Sequence, residues 1–214
     1  MKKNILIIVL AVALCAVGVR MAYDRNAAES GGDMAGDGSA DALECIMTRY
    51  SLRAYSSRPV ADSIVEKILR AGMAAPTAMR MQPWEMVVVT EQPLKDSIAS
   101  VSKGMAMIKD APLVVAVCGN TNRFIEGESA ADGGFWIEDC SAAAENILLA
   151  AHALGLGGVW CGVYPVDERV EHMRRILNLP DMIVPFNVMA IGYPEAAGAP
   201  KDKWNPSRVH YNRF

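Results

Sequence analysis

The chain has 214 residues, of which 52% are hydrophobic and 21% charged, and its formal net charge is -3. Once a leader and a linker are set aside, this length predicts one globular domain of roughly 170 residues. The slightly acidic balance provides no basic field for counterion release, so nucleic acid is excluded as a partner.

The first residues have the pattern of an export signal. Two lysines behind the initiating methionine precede an uncharged apolar run over residues 5–19, which is shorter than the roughly 20 residues that a membrane span needs. Residues 1–22 are therefore predicted to be a signal peptide or membrane anchor, and the protein is expected in the cell envelope or periplasm. The sequence before Cys15 resembles the lipobox of bacterial lipoproteins, but its last residue is normally small and here is Leu14. Cleavage, retention as a membrane tether and lipidation at Cys15 all stay open.

A linker and then the domain follow the leader. Between Asn26 and Ala42 the composition shifts to glycine, alanine, serine and aspartate, with almost nothing to bury. Residues 23–42 are therefore predicted to be a flexible linker, and residues 43–214 the globular domain.

Hydrophobic spacing predicts five helices and four strands in the domain. The helices are expected over 43–48, 60–74, 94–107, 136–154 and 166–177. The strands are expected over 86–89, 113–118, 159–163 and 184–191. The fourth helix is apolar on most faces, so it should be buried, and a glycine-rich stop at 155–158 ends it. The sum is an α+β layer architecture.

The cysteines and histidines indicate no metal site. Five cysteines show no Cys-x-x-Cys spacing, and the three histidines lie far apart in the chain. Buried thiols are favoured over a disulfide, because Cys118 ends an apolar run and Cys140 lies in an alanine-rich helical stretch. A Rossmann nucleotide site has no support either, since no Gly-x-Gly-x-x-Gly follows a strand.

Four stretches could carry chemistry. The first, residues 49–53, packs two arginines and a serine into five residues and suits a phosphate. The second, residues 75–84, is a stiff loop with prolines near both ends. The third, residues 155–163, lets backbone approach a flat ligand, and the fourth, residues 192–214, carries two lysines at a spacing of two. Each also has an ordinary interpretation: a solvated face, a helix-to-strand connection, a helix cap and a solvated tail.

The same four stretches occur in this order in the nitroreductase family of flavoproteins, which the domain resembles over essentially its whole length. The family shows an Arg-x-Ser-x-Arg/Lys start, a Pro-Ser/Thr-x-x-Asn-x-Gln-Pro-Trp loop, a Leu-Gly-Leu-Gly helix end and a Gly-Tyr-Pro before a basic tail. The resemblance implies a central mixed or antiparallel sheet flanked by helices. It also implies an intertwined homodimer with FMN at the interface.

The resemblance assigns roles to particular residues. Arg49 and Ser51 would hold the FMN phosphate from one side, and the tail lysines Lys201 and Lys203 would hold it from the other. The two basic groups would come from both subunits. Arg53 would reach the pyrimidine edge of the flavin, where a cation favours hydride acceptance. Loop residues would line the ring and ribityl chain, and backbone around Gly162 would direct an N–H at the flavin N5. The predicted cofactor site comprises Arg49, Tyr50, Ser51, Arg53, Pro76, Thr77, Arg80, Gln82, Cys161, Gly162, Val163, Lys201 and Lys203.

One position departs from the family pattern. Arg80 stands where the family usually has asparagine, and arginine can only donate hydrogen bonds, whereas an amide both donates and accepts. Arg80 is therefore expected to bind a different edge of the cofactor, or to reach outward to substrate or to the nicotinamide phosphate.

The implied activity is a ping-pong oxidoreductase. NADH or NADPH would reduce FMN, leave, and be replaced by a small flat acceptor such as a nitroaromatic or quinone. No protein group is nominated as a catalytic acid or base, because orientation and electrostatics would suffice. Two alternatives stay open: another family chemistry, such as dehalogenation, flavin breakdown or dehydrogenation, and a flavin-carrying or structural envelope protein without turnover.

Overall fold

The computed structural model describes residues 42–129 and 133–214. The described residues confirm the predicted α+β fold with five α-helices and four β-strands. The helices are α1 (Ala42–Thr48), α2 (Asp62–Met73), α3 (Gln92–Ser100), α4 (Phe135–Ala153) and α5 (Asp167–Ile176). The strands are β1 (Trp84–Val89), β2 (Leu113–Asn120), β3 (Gly157–Gly162) and β4 (Ile183–Gly192).

The predicted leader and nearly all of the predicted linker, residues 1–41, lie outside the described residues. Among the helices that are described, none combines the length and apolar character needed to cross a membrane.

The four strands form one antiparallel sheet in the order β1-β2-β4-β3. A single isolated parallel bridge, between Ser51 and Gly158, adds the first stretch beside β3. Every residue of β4 is buried, because side chains of β2 and β4 alternate between two apolar clusters on opposite faces of the sheet. Helix α4 packs in one cluster through residues such as Ile147, and α3 and α5 contribute Ile98 and Met173 to the other.

A β-bulge in β4 shapes the end of β3. The register between β2 and β4 shifts where Val117 pairs with Asn187 and Cys118 with Pro185, so Phe186 has no Cα partner. The extra residue also explains how a proline is tolerated inside a central strand. The Phe186 carbonyl accepts hydrogen bonds from the backbone N–H groups of Val163 and Tyr164, at 3.2 and 3.0 Å.

Several predicted bounds differ from the structure by two residues: α2 begins at Asp62, β1 begins at Trp84 and β2 ends at Asn120. Two further differences have identifiable local causes. The helix predicted over 94–107 divides into α3 and a 3-10 helix, Lys103–Asp110. The break comes at Ser102, whose hydroxyl accepts the Gly104 N–H at 3.4 Å as a cap. Strand β3 begins two residues earlier than predicted, at Gly157, where a side chain would lie 2.8 Å from Leu52 Cδ2.

The predicted stop of α4 is confirmed. Gly155 has φ +76°, a left-handed conformation that glycine adopts without steric cost. The Leu156 N–H donates to the Ala151 carbonyl at 2.9 Å and the Gly155 N–H to the His152 carbonyl at 3.0 Å, which is the pattern of a Schellman cap. The prediction of buried thiols is also confirmed for Cys118, Cys140 and Cys161, whereas Cys15 lies outside the described residues.

Candidate functional site

A cationic cavity of about 250 Å³ lies between the end of α1 and the C-terminal segment. No carboxylate in the described part of the chain lines it. Four positively charged side chains and one serine hydroxyl therefore face a small space suited to an anion. Its lining residues are Arg49, Tyr50, Ser51, Arg53, Ala199, Lys201 and Lys203.

The cavity brings the first and fourth predicted stretches together within one chain. Beyond β4 the chain returns alongside residues 51–56: Tyr55 forms a bridge with Pro194, and the Ser56 N–H donates to the Tyr193 carbonyl at 2.9 Å. This pairing carries the following lysines to the arginines. The expectation that the two basic groups come from both subunits is therefore wrong, because a single chain supplies both.

Arg49 is held at the cavity wall by α4. Its backbone N–H donates to the Cys45 carbonyl, and its Nε donates to Glu145 Oε1 at 3.1 Å, with the Arg49 side chain only 21% exposed. This ion pair uses one of the five guanidinium N–H donors and fixes the direction of the others. The arginine is thus oriented before any anion arrives.

Ser51 and Arg53 face outward because Leu52 faces inward. The buried Leu52 packs in the core, and its N–H donates to the Gly158 carbonyl at 3.1 Å, so the segment is extended and its side chains alternate. Burial raises the pKa of the Cys161 thiol, and the charge of Arg53 acts against that shift. Arg53 therefore lies within electrostatic reach of β3, which connects the first stretch to the third.

The end of β3 combines buried side chains with open space beside a glycine. Cys161 and Val163 are buried, and the Val163 N–H already donates to Phe186, so it is not free to serve as the donor to flavin N5. A Cβ added at Gly162 would meet no atom within 4 Å, so open space lies beside that residue. Arg169 Nη1 donates to the Gly162 carbonyl at 2.9 Å and holds this backbone in place. The predicted backbone contact stays a prediction at Gly162.

The second stretch is a loop clamped by a buried carboxylate. Asp139 on α4 is 6% exposed; its Oδ2 accepts the Thr77 hydroxyl and its Oδ1 accepts the Ala78 N–H, both at 2.8 Å. Thr77 Oγ1 in turn accepts the Gln82 N–H at 2.9 Å. The Thr77 hydroxyl therefore donates its hydrogen bond to Asp139, and it contributes to a cofactor site by ordering the loop.

The loop tip has an unusual backbone. Met79, Arg80 and Gln82 have φ values of +48°, +62° and +48°, a region that costs energy for residues other than glycine and is favoured at sites where surrounding contacts enforce it. Pro76 and Gln82 are exposed, and Arg80 is exposed without a hydrogen bond or ion pair to any described residue. The tip therefore presents an exposed cation on a backbone that Asp139 and Thr77 hold in place.

The loop and the cavity occupy different parts of one chain. Asp139 and Glu145 are six residues apart on α4, which corresponds to about 9 Å along the axis and a rotation of about 240°. No residue of the range 76–82 lines the cavity. Within a single chain, the structure unites the first and fourth stretches and leaves the second apart.

The sequence did not predict Asp139, Glu145, His152 or Ala199 as residues of the site. Asp139 had a signal, since a carboxylate in an apolar buried helix needs partners. His152 had none: its Nε2 lies 2.8 Å from Thr48 Oγ1, and its ring lies edge-on to Tyr50 behind the cavity wall. Because the Thr48 hydroxyl donates to the Glu44 carbonyl, His152 Nε2 is the donor. Burial, and then the charge of Arg49, lower the pKa of His152, so its imidazole is neutral at pH 7.

Known proteins resemble this chain in sequence and in fold. The Nitroreductase family model matches residues 46–106 and 94–193. A Methanothermobacter thermautotrophicus protein named "Putative NADH dehydrogenase/NAD(P)H nitroreductase" is 41% identical over 174 residues, which are 81% of this chain and 88% of that protein. A crystal structure of a protein of the same name from Parabacteroides distasonis has a TM-score of 0.75 at 41% identity, over 81% of this chain and 98% of that one. An FMN-dependent nitroreductase from Clostridium difficile has a TM-score of 0.72 at 26% identity, over 80% and 99%. The chain therefore belongs to the nitroreductase family.

Proposed function

We propose that the chain is an FMN-dependent oxidoreductase that transfers electron pairs from NADH or NADPH to a small flat acceptor such as a nitroaromatic or quinone. The cationic cavity is the observation that carries this proposal. The phosphate of FMN has between one and two negative charges at neutral pH, and the four cations that line the cavity match it. The names of the relatives, which include a NAD(P)H nitroreductase and an FMN-dependent nitroreductase, support the same reaction class.

The remaining residues suit the rest of the cofactor. Arg53, within reach of Cys161, is placed to stabilise negative charge at the pyrimidine edge of the ring. The open space beside Gly162 allows a flat ring to approach backbone closely. When bound, FMN supplies the redox chemistry, because it accepts a hydride and returns the electron pair to the acceptor. The chain's own residues bind and orient, and Cys161 stays a protonated thiol because burial raises its pKa.

We further propose that the working unit is a homodimer in which the second loop of one subunit completes the cofactor site of the other. The loop tip is rigid and exposed, yet it lies away from the cavity of its own chain. Helix α1 and the C-terminal tail also expose large apolar side chains, including Ile46 (57% exposed), Met47 (67%) and Tyr211 (85%). A second subunit would cover such surfaces.

Export to the cell envelope is also proposed, on the pattern of residues 1–22. A retained anchor or lipidated Cys15 would tether the enzyme to the membrane. Mass spectrometry of the mature N-terminus tests this directly: loss of the first residues or a lipid mass on Cys15 supports export, and an intact, unmodified N-terminus with the protein in the cytosolic fraction contradicts it.

Steady-state turnover tests the activity. Full-length protein loaded with FMN is mixed with NADH or NADPH, with and without a nitroaromatic or quinone, and nicotinamide absorbance is followed. Nicotinamide oxidation that depends on the acceptor, with parallel lines in double-reciprocal plots, is expected for a ping-pong cycle. A bound flavin that neither nicotinamide reduces would contradict the proposal and favour a flavin carrier.

A further inference from the structure

One wall of the cationic cavity is a short segment with few attachments. We call residues 198–203 the strap, since they cross from the Tyr55–Pro194 pairing to the exposed tail. The Gly198 N–H donates to the Tyr50 hydroxyl oxygen at 3.1 Å. The N–H of Trp204, the next residue but one after Asp202, donates to the Asp202 carboxylate within this part of the chain. Apart from that bond, the contact with Tyr50 is the only hydrogen bond between the strap and other described residues. Hydrogen bonding therefore attaches the strap that carries Lys201 and Lys203 at one point among the described residues.

The strap also packs against the face of the Tyr50 ring. A Cβ added at Gly198 would lie 2.1 Å from Tyr50 Cε2 and 2.4 Å from Cζ, far inside van der Waals contact. Glycine is thus required here by the close approach of backbone to the ring. The hydrogen bond to the hydroxyl and the contact with the ring together fix where the strap passes Tyr50.

Tyr50 is itself held from behind. It follows directly on Arg49, and its ring lies edge-on to His152 with 6.3 Å between the ring centroids. His152 donates to Thr48 at the end of α1, so the ring rests on a hydrogen-bonded support. The tether therefore connects the lysines to α4, the same helix that orients Arg49 through Glu145.

We infer that Tyr50 is a positioning residue that holds the strap, so that Lys201 and Lys203 face Arg49 and Ser51 and the site selects the phosphorylated flavin over riboflavin. This inference rests on the proposed function. Lysine side chains are long and flexible, so an anion that must first order them binds less tightly than one that meets them in place. The strap lines the cavity proposed for the phosphate and does not include Gly162, where the flavin ring is proposed to approach, so phosphate binding is expected to depend on the tether and ring binding is not.

The test compares FMN and riboflavin affinity in Tyr50→Phe and wild-type protein, measured by quenching of flavin fluorescence. The variant removes the hydroxyl and keeps the ring. Its FMN affinity is expected to fall by about two- to tenfold, as for the loss of one net hydrogen bond, while its riboflavin affinity stays unchanged. Tyr193→Phe is the matched control. Arg58 Cζ lies 3.9 Å from the centroid of the Tyr193 ring, and among the described residues the Tyr193 hydroxyl has no hydrogen-bond partner.

Gly198→Ala provides the second variant. Its methyl group must displace the strap from the ring, so FMN affinity should fall again with riboflavin affinity unchanged. The double variant should lose little more than Gly198→Ala alone, because the tether is already broken.

Equal losses for FMN and riboflavin, no loss for FMN, or additive effects of the two substitutions would each overturn the inference. If the wild-type protein binds FMN tightly and the variants give one of these results, the inference fails and the proposed function stands. A wild-type protein that takes up no FMN overturns both.

Discussion

Replacement of Asp139 by alanine should unfold the protein at a lower temperature and release the second loop. The carboxylate is buried and accepts two hydrogen bonds, from Thr77 and from the Ala78 backbone. Hydrogen bonds to charged groups contribute about 1.5–3 kcal/mol each, and some of this returns when the loop relaxes into water. A loss of about 3 kcal/mol is expected, which for a domain of this size lowers the melting temperature by about 6–12 °C. Circular dichroism on heating measures it.

Asp139→Asn separates the acceptor from the charge. The amide oxygen of the asparagine can still accept the hydrogen bond from the Ala78 N–H. The Thr77 hydroxyl can donate instead to the Ala78 carbonyl, which lies 3.5 Å from its Oγ1. A loss of about 1 kcal/mol is expected. Glu138→Ala is the matched control, because this neighbouring carboxylate is exposed, and its removal should cost under about 1 kcal/mol. If Asp139→Ala melts like wild type, or if the asparagine variant loses as much as the alanine variant, the buried clamp is not what orders this loop.

Three further substitutions probe the rest of the site. Gly162→Val should leave the melting temperature of the flavin-free protein nearly unchanged, since a Cβ meets no atom there. It should lower FMN affinity by about tenfold or more, and an unchanged affinity would show that the flavin ring does not bind beside Gly162. His152→Gln should reduce the loss of stability on acidification: with its folded pKa lowered, His152 contributes stability above its unfolded pKa of 6.5, and this is lost as the pH falls below that value. An identical pH profile of urea unfolding in the variant would contradict this. Arg80→Asn should raise the KM for NADPH or for an acidic acceptor and leave that for NADH unchanged; equal changes for both nicotinamides would exclude phosphate recognition by Arg80.

Local patterns predicted the elements well, and their failures have local causes. The apolar spacing of α2 and α4 and the β-branched runs of β1, β2 and β4 are long enough to be read without tertiary context. Strand β3 begins in two glycines, which in isolation indicate only a helix stop. Their role appears when Leu52, more than a hundred residues earlier in the chain, packs against Gly157.

The site required information that spacing does not contain. Arg49 and Lys201 are separated by 152 positions, and only the order of four motifs suggested that they meet. That order does not say which subunit supplies each motif, because the return of the chain depends on the Ser56–Tyr193 hydrogen bond and the pairing beside it. Asp139 likewise acts on Thr77, 62 residues away, and the tether from Tyr50 to Gly198 spans 148. Such contacts follow from the fold and leave no local pattern.

The most direct test of the central claim is an absorption spectrum of the purified full-length protein, followed by denaturation and identification of any released ligand. Flavin bands, and FMN released in an amount equimolar with the chain, are expected from a phosphate cavity built within each subunit. A colourless protein that also fails to take up added FMN would contradict the account and leave the cationic cavity to another anion.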